Sequence, residues 1–205
     1  MKKSKWNELE VALLVLLAVC LLTGAAALRR QDDLQQKMIR LHVVANSDSE
    51  RDQALKLQVR DKVLDFTEQT MRSAESREAA NEALRASLPE IERMAEDTLL
   101  ESGCADSVEA RLEPAEFPLK AYDGFRLPAG EYMALRVLIG EAEGQNWWCV
   151  VYPPLCTAAC TDLEDVAVQA GMDESDMKLI TGQEGYVLKF RAVELWERLR
   201  QWLGK

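Results

Sequence analysis

The chain of 205 residues has a single histidine, His42, and Asn46, Ser47, Asp48 and Ser49 follow it within seven positions. A hydroxyl, a base and a carboxylate are the ingredients of nucleophilic catalysis, in which the base deprotonates the hydroxyl and the acid orients the base. An exported hydrolase using His42 is therefore one reading of this cluster. The other is structural. Short polar side chains at this density also serve to satisfy the free N–H groups that open a helix.

The elements around the cluster favour the second reading. Ile39, Leu41 and Val43 alternate with Arg40, His42 and Val44, the period of a strand with an apolar face from which His42 points away. Asn46 to Ser49 stops that strand. Ser49-Glu50-Arg51-Asp52 then has the spacing of a capping box, and Leu55, Val59, Val63 and Phe66 recur at helical intervals. A cap needs these hydroxyls and carboxylates, and no second histidine supports a triad.

Before the strand stands a different material. Lys2, Lys3 and Lys5 precede the unbroken apolar run Val11 to Leu22, and Ala25-Ala26-Ala27 follows. That order has the form of a secretory signal peptide cut after Ala27. Val11 to Leu28 is also close to the length of an uncleaved membrane anchor, so both fates stay open. In either case the positive flank stays inside and the remainder is exported. The division expected is residues 1–27 as signal peptide or membrane anchor and residues 28–205 as one exported domain.

The net charge of −10 becomes more negative without the basic start. An acidic surface lacking a basic stripe excludes nucleic acid as the partner. Of five cysteines, Cys20 lies in the apolar run, leaving Cys104, Cys149, Cys156 and Cys160 outside the cytoplasm, where disulfides persist. Four thiols permit three complete pairings. The turn expected at Pro153-Pro154 favours Cys149 with Cys156. Zinc competes, but no C-x-x-C pair exists and His42 is far off in sequence, so neither a metal nor a cofactor is expected.

Further along, Ser76 to Ser87 reads as a second helix, and Ser87-Leu88-Pro89-Glu90 as a break after which Ser87 caps a third, ending at Gly103. Ser107 to Leu112 alternates like a strand, and Lys120-Ala121-Tyr122 is a short one before Asp123-Gly124. Tyr132 to Ile139 and Trp147 to Tyr152 are strong strands, apolar on nearly both faces and hence central, joined by Gly140 to Asn146 as a hairpin loop. Gly140-x-x-x-Gly144 lacks the Lys and Ser/Thr of a phosphate loop. Asp162 to Met177 is polar and poorly periodic. Gly185 to Phe190 reads as extended, and Val193, Trp196, Leu199 and Leu203 as the stripe of an amphipathic helix. The fold class expected is α+β, a small mixed sheet packed by helices.

Two blocks together carry a family resemblance. "RLHVVANSDSERDQALKLQVRD" and "LPAGEYMALRVLIGEAEGQNWWCVVYPPLC" closely resemble the stage II sporulation protein R family of endospore-forming bacteria, in the right order and behind an export segment. Ala142 stands where a second loop glycine is expected, and Leu127 where an aromatic often precedes Pro-Ala-Gly. The resemblance implies a signal that is no enzyme. It would be made in the forespore and exported into the space between forespore and mother cell, where it activates a membrane-embedded aspartic protease that processes the sigma-E precursor. Besides the hydrolase, a membrane-anchored septal structural protein is the other alternative. No contact residues carry over from the family. Trp147 and Trp148, adjacent in a strand and so on opposite faces, are the binding candidates, with core packing the plainer role for both.

Overall fold

The computed structural model describes residues 4–71, 73–122, 124–155, 167–168 and 171–182. Cys156, Cys160, the extended segment Gly185 to Phe190 and the expected terminal helix lie outside them. Helix α1 runs over Ser4–Gln36, followed by strand β1 (Ile39–Val44), helix α2 (Glu50–Met71) and helix α3 (Arg77–Glu101). Strands β2 (Val108–Phe117), β3 (Lys120–Ala121), β4 (Arg126–Leu127), β5 (Gly130–Ile139) and β6 (Asn146–Tyr152) follow, and then helix α4 (Glu174–Thr181). The fold class is α+β.

Four strands form one mixed sheet in the order β2-β5-β1-β6, with β1 parallel to β5 and antiparallel to β6. β1 is thus interior and is buried along its whole length. Ile39, Leu41 and Val43 face a core with Leu55, Val59 and Val63 of α2 and Leu84, Ile91 and Leu99 of α3. The opposite face meets a second core, made by Leu34 at the end of α1, Met38, Phe117, Phe125 and Leu127 near the β3–β4 ribbon, Val150, and Met177 and Ile180 of α4. Two apolar cores explain why so few strand positions read as polar.

Three expectations are corrected. Pro89 does not divide a helix pair: α3 is continuous, and Ser87, far from capping, donates its hydroxyl to the Ala83 carbonyl. A proline inside a helix forfeits one hydrogen bond at a cost of about 3 kcal/mol. Here the buried stripe Ala80, Leu84, Ile91, Ala95 and Leu99 runs through it without a change of phase, and packing offsets the loss. The start at Ser76, whose side chain caps the helix, and the end at Gly103 are as read; Cys104 N–H reaches the Leu99 carbonyl and Gly103 N–H that of Leu100 in a left-handed close.

β5 and β6 form no hairpin, because β1 lies between them. β5 is interior as expected, whereas β6 is outermost among the described strands. The 140–145 connection must therefore cross the end of β1, and it does so on hydrogen bonds from Gly144 N–H to the Ala45 carbonyl and from Glu143 N–H to that of Asn46. Finally, part of the polar region before Met177 is helical. Asp173 caps α4 in a reciprocal box with Asp176, a D-x-x-D variant of the usual signature.

α1 passes through Ala27 without interruption. Its stretch from Asn7 to Gln36 is long and apolar enough to cross a membrane, the most apolar 18 residues having a mean hydropathy of 2.8. Yet its last turns belong to the domain: Leu34 is fully buried and Gln31 donates to the Ala129 carbonyl at 2.9 Å.

Candidate functional site

The opening cluster lies where β1 hands over to α2. Ser49 Oγ accepts from Asp52 N–H at 3.1 Å, and Gln53 N–H from the first turn reaches the Ser49 carbonyl, so Ser49 caps the helix as its spacing requires. The Asp52 carboxylate turns outward from the box. It accepts from Ser47 Oγ at 2.5 Å and from Asn46 Nδ2 at 3.1 Å, and these donors hold it below the usual carboxylate range. Ser47 Oγ in turn accepts from Ser49 N–H.

The same residues clasp the 140–145 loop. Asn46 Oδ1 accepts from Glu141 N–H at 3.0 Å, and Asp48 Oδ1 from Gln145 N–H at 2.8 Å. From α2, the buried Lys56 ammonium donates to the Gln145 carbonyl at 2.8 Å and to Gln53 Oε1, and its desolvation lowers its pKa. Loop backbone approaches so closely that glycine is required at Gly140 and Gly144. Asn46 to Ser49 is thus a clamp joining the two sequence blocks.

His42 is not part of it. Its Nε2 lies 2.6 Å from Asn146 Oδ1, and its ring stacks on Trp148 at 4.0 Å between centroids. With Asn146 Oδ1 accepting, Nε2 carries the proton of the neutral ring, leaving Nδ1 as a lone pair without a partner. Burial first, and then the charges of Arg136 and Arg40, lower the His42 pKa. Ser47, Asp52 and Ser49 are committed to one another, and a carboxylate is not hydrogen-bonded to the ring. The geometry of a Ser/His/Asp triad is absent among the described residues, as is any group of three or more metal-ligating side chains.

The two tryptophans point to opposite faces and both are half-buried. Trp147 packs against the first core, under the Arg60 guanidinium at 4.3 Å. Trp148 joins the second, with Phe117 at 4.7 Å. Cys149, between them and the turn, is buried on β6; Cys20 and Cys104 carry free thiols.

Sequence reasoning passed over Arg40. Its guanidinium is fully buried, 4.1 Å from the Phe117 ring centre and 4.9 Å from that of Tyr132, with Nη2 donating to Tyr122 Oη at 2.5 Å and Nε to the Cys149 carbonyl at 3.4 Å. Desolvation lowers the Arg40 pKa, and burial raises those of the Tyr122 and Tyr132 phenols. The available signal was the pair Arg40-x-His42 on the face of the strand opposite Ile39, Leu41 and Val43.

The family model described as stage II sporulation protein R matches residues 35–162. That span includes the clamp, Arg40, His42 and Trp148. A relative described as stage II sporulation protein R, from Bacillus subtilis (strain 168), is 37% identical over 142 residues, which is 69% of this chain and 63% of the relative. The match thus spans less than two thirds of that relative's length. No solved structure matches the chain.

Proposed function

The chain belongs to the stage II sporulation protein R family, and from that membership we propose that it is an extracytoplasmic signal of sporulation. It acts by binding and activating a membrane-embedded aspartic protease that processes the sigma-E precursor. The observation that carries this reading is the family match across the folded domain, placed directly behind a helix fit for export or anchoring. Residues 1–27 deliver the domain as signal peptide or anchor, and residues 28–205 act in the space between forespore and mother cell. The engagement of Ser47 with Asp52, and of His42 with Asn146, supports a binding role over catalysis.

Deletion of the protein in its native spore former, followed by a blot for the sigma-E precursor, tests the proposal. The precursor should persist uncleaved, and His42→Ala or Ser47→Ala protein should restore cleavage in proportion to its folded fraction. A hydrolase would lose all activity with His42→Ala even when folded. A septal structural protein would leave processing unchanged on deletion.

A further inference from the structure

Arg40 departs from the other basic residues near it. On the same sheet face, Arg136 holds Glu113 at 2.6 Å and Arg111 holds Glu109 at 2.6 Å; below, Lys37 holds Asp176. Among the described residues no carboxylate pairs with Arg40. Its side chain is the largest fully buried one among the described residues, and its Nη1 has no hydrogen-bond partner there. A buried charge is ordinarily paired, since its desolvation is otherwise uncompensated, and phenol hydroxyl, carbonyl and ring faces supply only part of what a carboxylate would.

The surroundings are those of a covered site. His42 pairs in register with Arg136 on one side and with Trp148 on the other, so the three side chains form a row across β5, β1 and β6 directly beside Arg40. The row adds a second unpartnered buried nitrogen, His42 Nδ1, and a third, Arg136 Nε. Tyr122, which occupies Arg40 Nη2, is half-buried and stacks on Phe125 across the turn of a ribbon whose strands have two residues each.

We propose that Arg40 is the anchor for an aspartate or glutamate side chain of a partner polypeptide, which enters between Tyr122 and Trp148, displaces the Tyr122 hydroxyl and pairs with the guanidinium fork. The proposal rests on the reading of the protein as a binding signal and adds the chemistry that its partner must present. A planar fork matches a carboxylate in two parallel hydrogen bonds, which gives recognition at short range despite the acidity of the whole chain. The nearby glutamates are committed to Arg136 and Arg111. The charge of an arriving anion also raises the His42 pKa from nearby, so the ring reports binding without contacting the carboxylate.

The sole histidine reports the event. The ring signals of His42 are followed by NMR in the full chain in maltoside micelles during titration with N-acetylglutamate amide. The neutral N-acetylglutamine amide and inorganic phosphate serve as the other arms. The carboxylate should give a saturable shift and raise the His42 titration midpoint, the neutral analogue should give neither, and phosphate should bind more weakly. Arg40→Gln should abolish saturation. Tyr122→Phe, which removes the competing hydroxyl and leaves the ring, should bind the carboxylate about threefold tighter or more, the factor expected from losing one hydrogen bond. Should Arg40→Gln fail to fold, unchanged affinity in Tyr122→Phe overturns the proposal by itself. Absence of a saturable shift, an equal response to the glutamine analogue, or tighter binding of phosphate also overturns it. None of these results bears on precursor processing, which is read separately by the deletion.

Discussion

Asn46 and Gly140 meet where the second sequence block crosses the first: a Cβ placed on Gly140 would lie 2.3 Å from Asn46 Oδ1. That oxygen already accepts from Glu141 N–H, and Gly140 has φ of +55°. Gly140→Ala therefore carries the left-handed backbone penalty of about 1–2 kcal/mol together with about 1 kcal/mol for the disturbed hydrogen bond. Chemical denaturation should show a loss of roughly 2–3 kcal/mol. A variant as stable as the parent would mean that the loop does not rest on Asn46.

Ala142, in the same loop, has φ of 53° and is the one non-glycine with positive φ among the described residues. It occupies the position where the family pattern suggests glycine. Ala142→Gly should raise stability by up to about 1 kcal/mol, because relief of the left-handed strain exceeds the added freedom of the unfolded chain. Thermal unfolding of the pair of proteins decides it, and a lower melting temperature for the glycine variant is the contrary result.

At the helix start, Ser49→Ala should cost about 1 kcal/mol through the lost cap. Ser49→Asp, an equally good cap, should restore the stability. Sigma-E precursor cleavage should follow the folded fraction in both. Full folding with abolished cleavage in Ser49→Ala would make this residue a contact and not a cap.

His42 gives the domain a dependence on mildly acid pH. Its folded pKa lies below the ordinary 6.5 because burial disfavours the charged ring. The unfolded chain therefore binds a proton first as pH falls. The associated stability is fully present above 6.5 and declines as pH drops through the lowered folded value. Denaturation between pH 7.5 and 5 should show this decline, and His42→Gln should flatten it; the hydrogen bonds of the Asp52 and Asp173 carboxylates hold both below the usual carboxylate range. Parallel profiles for the two proteins would assign the dependence elsewhere.

We propose that Cys149 on β6 is bridged to Cys156, which lies outside the described residues. Closing so short a loop should stabilise the exported protein by about 2 kcal/mol. Peptide mapping without reductant should recover the two cysteines in one linked species. Recovery of both as free thiols would remove the bridge.

The local signals in the sequence were dependable wherever one element sufficed to express them. The Ser49 cap, the helix start at Ser76, the Gly103 terminus, the stripe of α2 and the alternation of β1 depend on neighbours within a few positions. Pro89 misled because the determinant was a stripe of twenty residues, from Ala80 to Leu99, whose packing outweighs one missing hydrogen bond. The β5–β6 connection misled because Gly140 and Gly144 serve equally in a hairpin and in a crossing loop. Which of these occurs is decided by Asn46 and Asp48, about a hundred residues earlier. Arg40 was illegible for the same reason: its significance lies in Phe117, Tyr122 and Tyr132, which only the sheet and ribbon bring to it.

The continuity of α1 means that, uncleaved, it would be a rib of the domain behind it. From Leu28, at the end of the apolar run, to the buried Leu34 is six residues of helix, about 9 Å, with neither glycine nor proline to act as a hinge. With the run inside a bilayer, the helix would work as a lever arm. A change in its tilt reaches Leu34, the Gln31 contact with Ala129 and the start of β5 as a rotation of the whole domain, instead of being lost in a linker. Cleavage after Ala27 would free the lever and leave its short end seated.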